Sequence, residues 1–550
     1  MLQVMPLLMK VVPVVVLLGG LIFVHELGHF LFAKLFNVKV LKFSIGFGPK
    51  LFAFTRGETE YRLALLPLGG YVKMAGDDPS QPLDASDAGR NYLEQAPHRR
   101  ALIALAGPAF NLLFPLILYF AIFLAPRELP STRVGYVVPG RPAAVAGVQV
   151  GDRIVAVDGS PAKDFADLKE LIEAKPGQPL ALTLDRGGKR VDLTLTAGSE
   201  LDDNPIEAET RGKIGIAPFS HAPIVGVAAG SAAARAGLKT FDRIETVDGR
   251  KVASYEELTA RLGALGDHGF AVTALRQRPV PIAGATLGVD EHITAAVNPY
   301  AYPVGFEPEE RYVFAVEPGS PAALAGVARG DEIVSVDAKP VTTWDDVQAR
   351  LAAASAAHAE TLAVGVLRGG APVTLTVKPQ YRQQRDQMGA RVMAAYVGLV
   401  ADNRPDTIVP GETVRVSTGP LTAARRSVQK LGELVRLMSL GILRIVEGRI
   451  SYETMGGPIM LYQVASKSAE AGLDAFLWTM GIISVNLGLM NLLPIPVLDG
   501  FHILSAVVEA VRRRPLSLRF REVANVVGLV MLLALMLLVF KNDIVRSFFE

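Results

Sequence analysis

Four stretches of the 550-residue chain stay apolar for close to the ~20 residues that a helix needs to cross a hydrocarbon core. They are Val11–Ala33, Ala101–Pro126, Ala475–Leu498 and Val523–Phe540. The last three carry no charged residue, and the first is charged only at His25-Glu26-Leu27-Gly28-His29. Between the second and third stretches the pattern changes to short alternating runs broken by Gly and Asp, the mark of strands and turns. The pattern predicts four membrane helices with a large insert between the second and the third.

The insert repeats itself. "VVPGRPAAVAGVQVGDRIVAVDG" (137–159), "VAAGSAAARAGLKTFDRIETVDG" (227–249) and "VEPGSPAALAGVARGDEIVSVDA" (316–338) align without gaps. Each copy predicts a strand, a short helix closing on Ala-Gly, a turn, and a strand ending in Val-Asp. A second helix follows ("DFADLKELIEA", "SYEELTARLGA", "TWDDVQARLAA"), then an alternating hairpin such as 181–197, turning at Gly187-Gly188. Phe241 and Ala338 stand where the other copies have Gly, which predicts altered turns there. The three copies resemble the PDZ domain. That resemblance implies peptide C-termini as partners, with the carboxylate received by backbone N–H groups. Candidate carboxylate loops are those of Gly215, Gly288 and Gly398, each a glycine between apolar residues; ordinary strand ends remain the alternative.

The chain divides by number into a first span to residue 36, a β region 37–98, a second span 99–126, PDZ-like modules 127–220, 221–304 and 305–402, a linker with amphipathic helices 403–474, a third span 475–498, a loop 499–522 and a fourth span 523–541. Residues 424–450 are basic and amphipathic, which suits a helix lying on a membrane surface, with packing on the last module as the alternative.

Composition narrows the chemistry. Hydrophobic residues make up 50% and the mean hydropathy is +0.31, high for a chain without membrane segments. A net charge of +2 gives no reason to expect a nucleic-acid partner. The chain has no cysteine, so a metal would have to be held by His, Asp or Glu. Lys and Arg concentrate in 34–100 and 499–522, which predicts those segments on the cytoplasmic side. The insert then lies on the opposite side, the periplasm of a Gram-negative cell, and the chain is a multi-pass inner-membrane protein.

Ionisable side chains in hydrocarbon cost ~2.5–3.5 kcal/mol each on insertion scales, so HELGH requires a reason. H-E-x-x-H on a helix puts His25 and His29 on one face, able to share a Zn²⁺, with Glu26 beside them as general base. Polar contact between helices is the structural alternative. A catalytic zinc usually takes three protein ligands. Asp499 is the only carboxylate between Asp474 and Glu509, and Pro494 and Pro496 can turn it back toward the bundle. His502 is the rival third ligand.

HELGH, "AGPAFN" (106–111) and "NLGLMNLLPIPVLDG" (486–500) together resemble the site-2 protease family of intramembrane metalloproteases. The PDZ-like copies resemble its Gram-negative subgroup, the regulators of sigma-E. The resemblance implies a polytopic α-helical membrane protein with inserted periplasmic PDZ-like α+β domains, and Zn²⁺ held by His25, His29 and Asp499. It implies substrate contacts at Asn486 and Asn491, for which interhelical hydrogen bonding is the alternative, and leaves the role of Asn111 open. It also implies a re-entrant β-element within 41–76, turning at Arg56-Gly57, whose exposed edge at Gly46, Phe47 and Gly48 holds an unwound substrate by backbone pairing. Implied substrates are transmembrane segments of single-pass proteins already trimmed outside the membrane, such as an anti-sigma factor, and remnant signal peptides. Two features depart from the subgroup: three modules instead of two, and Phe501 where a second Gly often follows Asp499-Gly500. The rival functions are a membrane-anchored PDZ scaffold with a vestigial or structural metal site, and an ordinary anchored zincin.

Overall fold

The computed structural model describes the chain apart from residues 1–3, 78–86, 202–205, 208, 283–284, 386–390, 403–406 and 549–550. Among the described residues, four helical stretches are long and apolar enough to cross a membrane: Val11–Leu35, Pro97–Leu124, Leu473–Asn491 and Arg519–Ser547. The first three pack together. Leu17, Leu21 and Met480 are buried between the first and third, and Tyr119, Ile122 and Val485 between the second and third. The third stops at Asn491, short of the expected Leu498, because Pro494 and Pro496 cannot continue the i→i−4 ladder. The chain reverses at Val497, whose φ of 83° is a left-handed backbone that a β-branched residue rarely takes. A new helix, Asp499–Arg512, then starts on the metal-ligand candidate itself.

Residues 40–74 form two long strands, Val40–Arg56 and Thr59–Met74, each folding on itself. Lys42 pairs with both Lys73 and Glu60, and Ile45 with both Gly70 and Leu63. The result is a four-stranded sheet in the order 50–56, 59–66, 40–47, 70–74. Its Arg56–Thr59 turn is held at the end of the first span, where Glu58 takes Lys34 (2.6 Å) and Arg90 (2.9 Å). The opposite end runs back along the span: Phe43 packs on Phe23 and Phe30, and Gly70 lies against Ile22 and Glu26. Gly46 and Gly48, at φ 91° and 88°, form the kink at this far end. Phe47 pairs with Leu66 on one side, and the outer strand beside the first span's ionisable residues is 70–74, which pairs with 40–45.

Each repeat folds into its own module with its own core. The Asp of the repeated turn is buried in all three, and an Arg from the following hairpin neutralises it: Arg186–Asp152 at 2.7 Å, Arg276–Asp242 at 2.7 Å and Arg368–Asp331 at 2.8 Å. Each second helix is capped by a side chain, from Asp164, Ser254 and Thr343, on the backbone N–H three residues on. The hairpin turns at Gly187-Gly188 as expected. Phe241 and Ala338 do not alter their turns. At φ 75° and 59° they keep the left-handed geometry of the glycines in the other copies, at a cost of ~1–2 kcal/mol each. Phe241 offsets this by packing edge-on against Phe314 at 5.1 Å, in a cluster with Ala222, Ile224 and Tyr312 that joins the second module to the third.

The segment after the modules returns to the start of the insert. Ile408–Val409 pairs with Ser220–His221, and Thr413–Val416 with Arg127–Pro130. The amphipathic helix runs Pro420–Val446 and packs by Leu431, Leu434, Val435 and Met438 against the second and third spans. Among the described residues its ion pairs to the modules run to the first and not to the last: Arg426 and Arg436 tie it to Asp167 and to Glu207 and Glu209.

Candidate metal centre

The helical spacing of HELGH puts the rings of His25 and His29 side by side, with their Nε2 atoms 3.2 Å apart. Asp499 completes the group: one carboxylate oxygen lies 3.1 Å from His25 Nε2 and the other 3.4 Å from His29 Nε2. Among the described residues these three form the group of His, Asp and Glu side chains able to hold a metal ion. His502 lines the same cavity but is not part of it. Burial pulls the His502 imidazole below its ordinary range, which keeps it neutral.

Two helices cross closely enough to enclose the group because their contact is made of glycine. A Cβ on Gly28 would run into the backbone of Ala106, and one on Gly107 into the rings of His29 and His25. His29 Nδ1 lies 2.8 Å from the carbonyl of Ile103. A carbonyl only accepts, so the ring proton sits on Nδ1 and the Nε2 lone pair faces Asp499 and His25. That is the tautomer a metal ligand needs. Two imidazoles and one carboxylate form a donor set that suits zinc.

Glu26 is buried beside the group and accepts the N–H of Val72 from the 70–74 edge. A cavity of about 650 Å³ opens here, lined by His25, Glu26, His29, Asp499, His502, Gly70–Met74 and Asn491. Lys73, Asp77 and Tyr92 extend its polar wall toward the segments expected on the cytoplasmic side. Asn491 therefore faces the metal group, whereas Asn486, exposed on the third span, does not line the cavity.

Below the cavity, Glu509 is buried among Arg100, Arg521 and the N–H of Leu516. Burial alone would raise its carboxyl, but these donors outweigh it and hold it below the usual range. This ionic knot joins the Asp499 helix to the feet of the second and fourth spans. Sequence reading missed it, because nothing in spacing pairs Arg100 with Glu509.

In the modules, the carbonyls of Gly215 and Gly398 accept the N–H of Val138 and Glu317, both at 2.9 Å. In the second module the equivalent bond, also 2.9 Å, joins Ala228 to Gly305. Gly305 has the same left-handed φ of 78°. Gly288 instead pairs with Pro279 far out on a long hairpin, so the second candidate loop is Val304-Gly305-Phe306. Its place just before the next copy was the available signal.

The model of peptidase family M50 matches residues 13–535. The chain is 30% identical to Protease RseP of Yersinia pestis over 98% of this chain and all of that one. It is 28% identical to the regulator of sigma-E protease RseP of Escherichia coli, over 97% of each. It is also 28% identical to a Neisseria meningitidis chain provisionally named zinc metalloprotease NMA0084, over 96% of each. With its four apolar helices among the described residues and its His25–His29–Asp499 group, the chain belongs to peptidase family M50, as a multi-pass membrane zinc metalloprotease of the site-2 type.

Proposed function

We propose that this protease cuts the transmembrane segment of single-pass proteins at the His25–His29–Asp499 centre. The observation that carries the reading is Glu26 set between that centre and the outer strand 70–74, whose Val72 N–H it accepts. Zinc held by the three side chains would supply Lewis acidity for activating water and polarising a peptide carbonyl. Glu26 takes the proton from the attacking water and delivers it to the leaving amine. The edge at 70–74 holds the unwound substrate extended, which exposes amides that a helix would hide in its own hydrogen bonds. Asn491 contacts the substrate within the cavity and Asn486 beside it. The kink at Gly46, Phe47 and Gly48 supports the sheet at depth. Phe47, Leu51, Phe52, Leu63 and Leu66 are exposed around that far end, as suits a β-element dipping into lipid.

The same reading places the three modules in the periplasm of a Gram-negative cell and the centre near the cytoplasmic side of the inner membrane. The modules screen substrates, so that only proteins trimmed outside the membrane reach the cavity. The loops of Gly215, Gly305 and Gly398 offer backbone N–H groups to peptide C-termini. An anti-sigma factor and remnant signal peptides suit these requirements. The test is a vesicle reconstitution with a single-pass substrate, the products identified by mass spectrometry. A cut inside the apolar segment that stops on zinc chelation supports the reading. A cut only in flanking soluble sequence excludes it and favours an anchored zincin.

A further inference from the structure

Asn111 is a fully buried polar side chain whose hydrogen bonding is half complete. It sits on the second span at 0% exposure, with one end of its amide 3.1 Å from His25 Nδ1. The other end has no hydrogen-bond partner among the described residues. Its backbone is fixed as well: the hydroxyl of Ser484, on the third span, donates to the Asn111 carbonyl at 2.7 Å. Asn111 thus touches a first-span ligand and is fastened to the span that leads to Asp499.

The orientation of the amide decides what His25 can do, and the two orientations differ only by exchanging nitrogen and oxygen. With the nitrogen toward the ring, His25 Nδ1 must accept, so its proton moves to Nε2. Nε2 is the atom that faces Asp499 and His29, and a protonated Nε2 has no lone pair for a metal. With the oxygen toward the ring, Nδ1–H donates and Nε2 is free. Hydrogen bonding away from the ring does not choose, since the far end is unpartnered either way. The neighbouring ligand supplies the choice: His29 already carries its proton on Nδ1 because of the Ile103 carbonyl. A centre using both rings needs His25 in the same tautomer.

We propose that Asn111 is a positioning residue for the metal centre: its side-chain oxygen accepts the His25 Nδ1–H and keeps His25 Nε2 open toward Asp499. The inference rests on the metal-centre reading above. It assigns to the Asn of "AGPAFN" the outer-shell part that a backbone carbonyl plays for His29.

The test is zinc affinity of the purified full-length protein in detergent, by competition with a chromogenic chelator. Asn111→Leu removes the acceptor and should weaken zinc binding by ~10- to 100-fold. Asn111→Asp keeps an acceptor and has no amide donor, so it should stay within a few-fold of the parent. Ser484→Ala, which frees only the Asn111 backbone, should also stay near the parent, and Co²⁺-substituted Asn111→Asp should keep the parental visible absorption bands. Unchanged affinity in Asn111→Leu overturns the proposal. So does an Asn111→Asp or Ser484→Ala protein as weak as Asn111→Leu, since the first would make Asn111 a donor and the second would make its role one of packing. If Asn111→Leu does not fold, Asn111→Asp decides alone: zinc affinity within a few-fold of the parent supports the proposal, and a loss of ~10-fold or more overturns it. A parent protein that binds no zinc overturns the metal centre as well, which separates that failure from the failure of Asn111.

Discussion

A carboxylate oxygen of Asp499 lies 3.1 Å from Nε2 of His25, although the two residues stand near opposite ends of the chain. The intervening insert folds into separate modules and leaves the first, second and third spans free to pack directly. Asp499→Ala should therefore weaken zinc binding by more than ~100-fold, beyond the range for an outer-shell residue. His502→Ala should change it by no more than a few-fold. Metal analysis of the purified variants checks both, and the reverse order would make His502 the ligand.

The ionic knot at Glu509 predicts a mechanical effect on the centre. Glu509→Ala leaves Arg100 and Arg521 facing each other without their shared carboxylate. Breaking such a buried pair costs ~3–5 kcal/mol. The loss should appear as faster amide exchange in Asp499–Arg512 and as reduced cleavage, while the three repeat modules keep parental exchange.

Glu309 gives a pH dependence outside the membrane spans. Burial raises its carboxyl to about 7, against help from His221 and with further upward push from Glu310 and Asp402. Between about 4.5 and 7 the folded state holds a proton that the unfolded state has released. Stability therefore falls as pH rises through that window and stays low above it. Glu309→Gln should raise the unfolding temperature at pH 8 and leave it unchanged near pH 4.5. The ceiling on the gain is roughly 3 kcal/mol, at ~1.4 kcal/mol per pKa unit. Calorimetry at the two pH values checks it, and an equal gain at both would contradict the account.

Phe241 makes the second and third modules one unit. Its ring meets Phe314, and the Arg329 guanidinium lies 4.5 Å from its centroid. Phe241→Gly relieves ~1–2 kcal/mol of left-handed strain but forfeits ~3–5 kcal/mol of buried aromatic packing. The net loss should speed amide exchange at Tyr312–Val316, with little change inside the first module.

Much of the centre was legible in the sequence because its physics is local or exclusive. The i, i+4 spacing of His25 and His29 places both on one helical face, and Asp499 had no competing carboxylate nearby. The spans were legible from apolar length alone, although the third ends early at its prolines. The β-element was less so. Residues 40–56 read as one strand, and alternation does not reveal that such a strand kinks at Gly46 and Gly48 and pairs twice. The expected edge was accordingly the kink alone, and the outer strand 70–74 beside Glu26 had no signal of its own. Gly288 misled for a related reason: a glycine between apolar residues fits a long hairpin as well as a carboxylate loop. The contacts Asn111–His25 and Arg100–Glu509 join distant segments by single polar atoms, which no local pattern encodes.

The central claim is that Glu26 moves the proton in a zinc-dependent cut of a membrane-embedded peptide. The most direct measurement pairs zinc content with cleavage of a single-pass substrate in vesicles, for the parent and Glu26→Gln. The account predicts equal zinc in both, cleavage by the parent, and a loss of at least ~100-fold in Glu26→Gln, as expected when a general base is removed. Cleavage by zinc-loaded Glu26→Gln at the parental rate would contradict it.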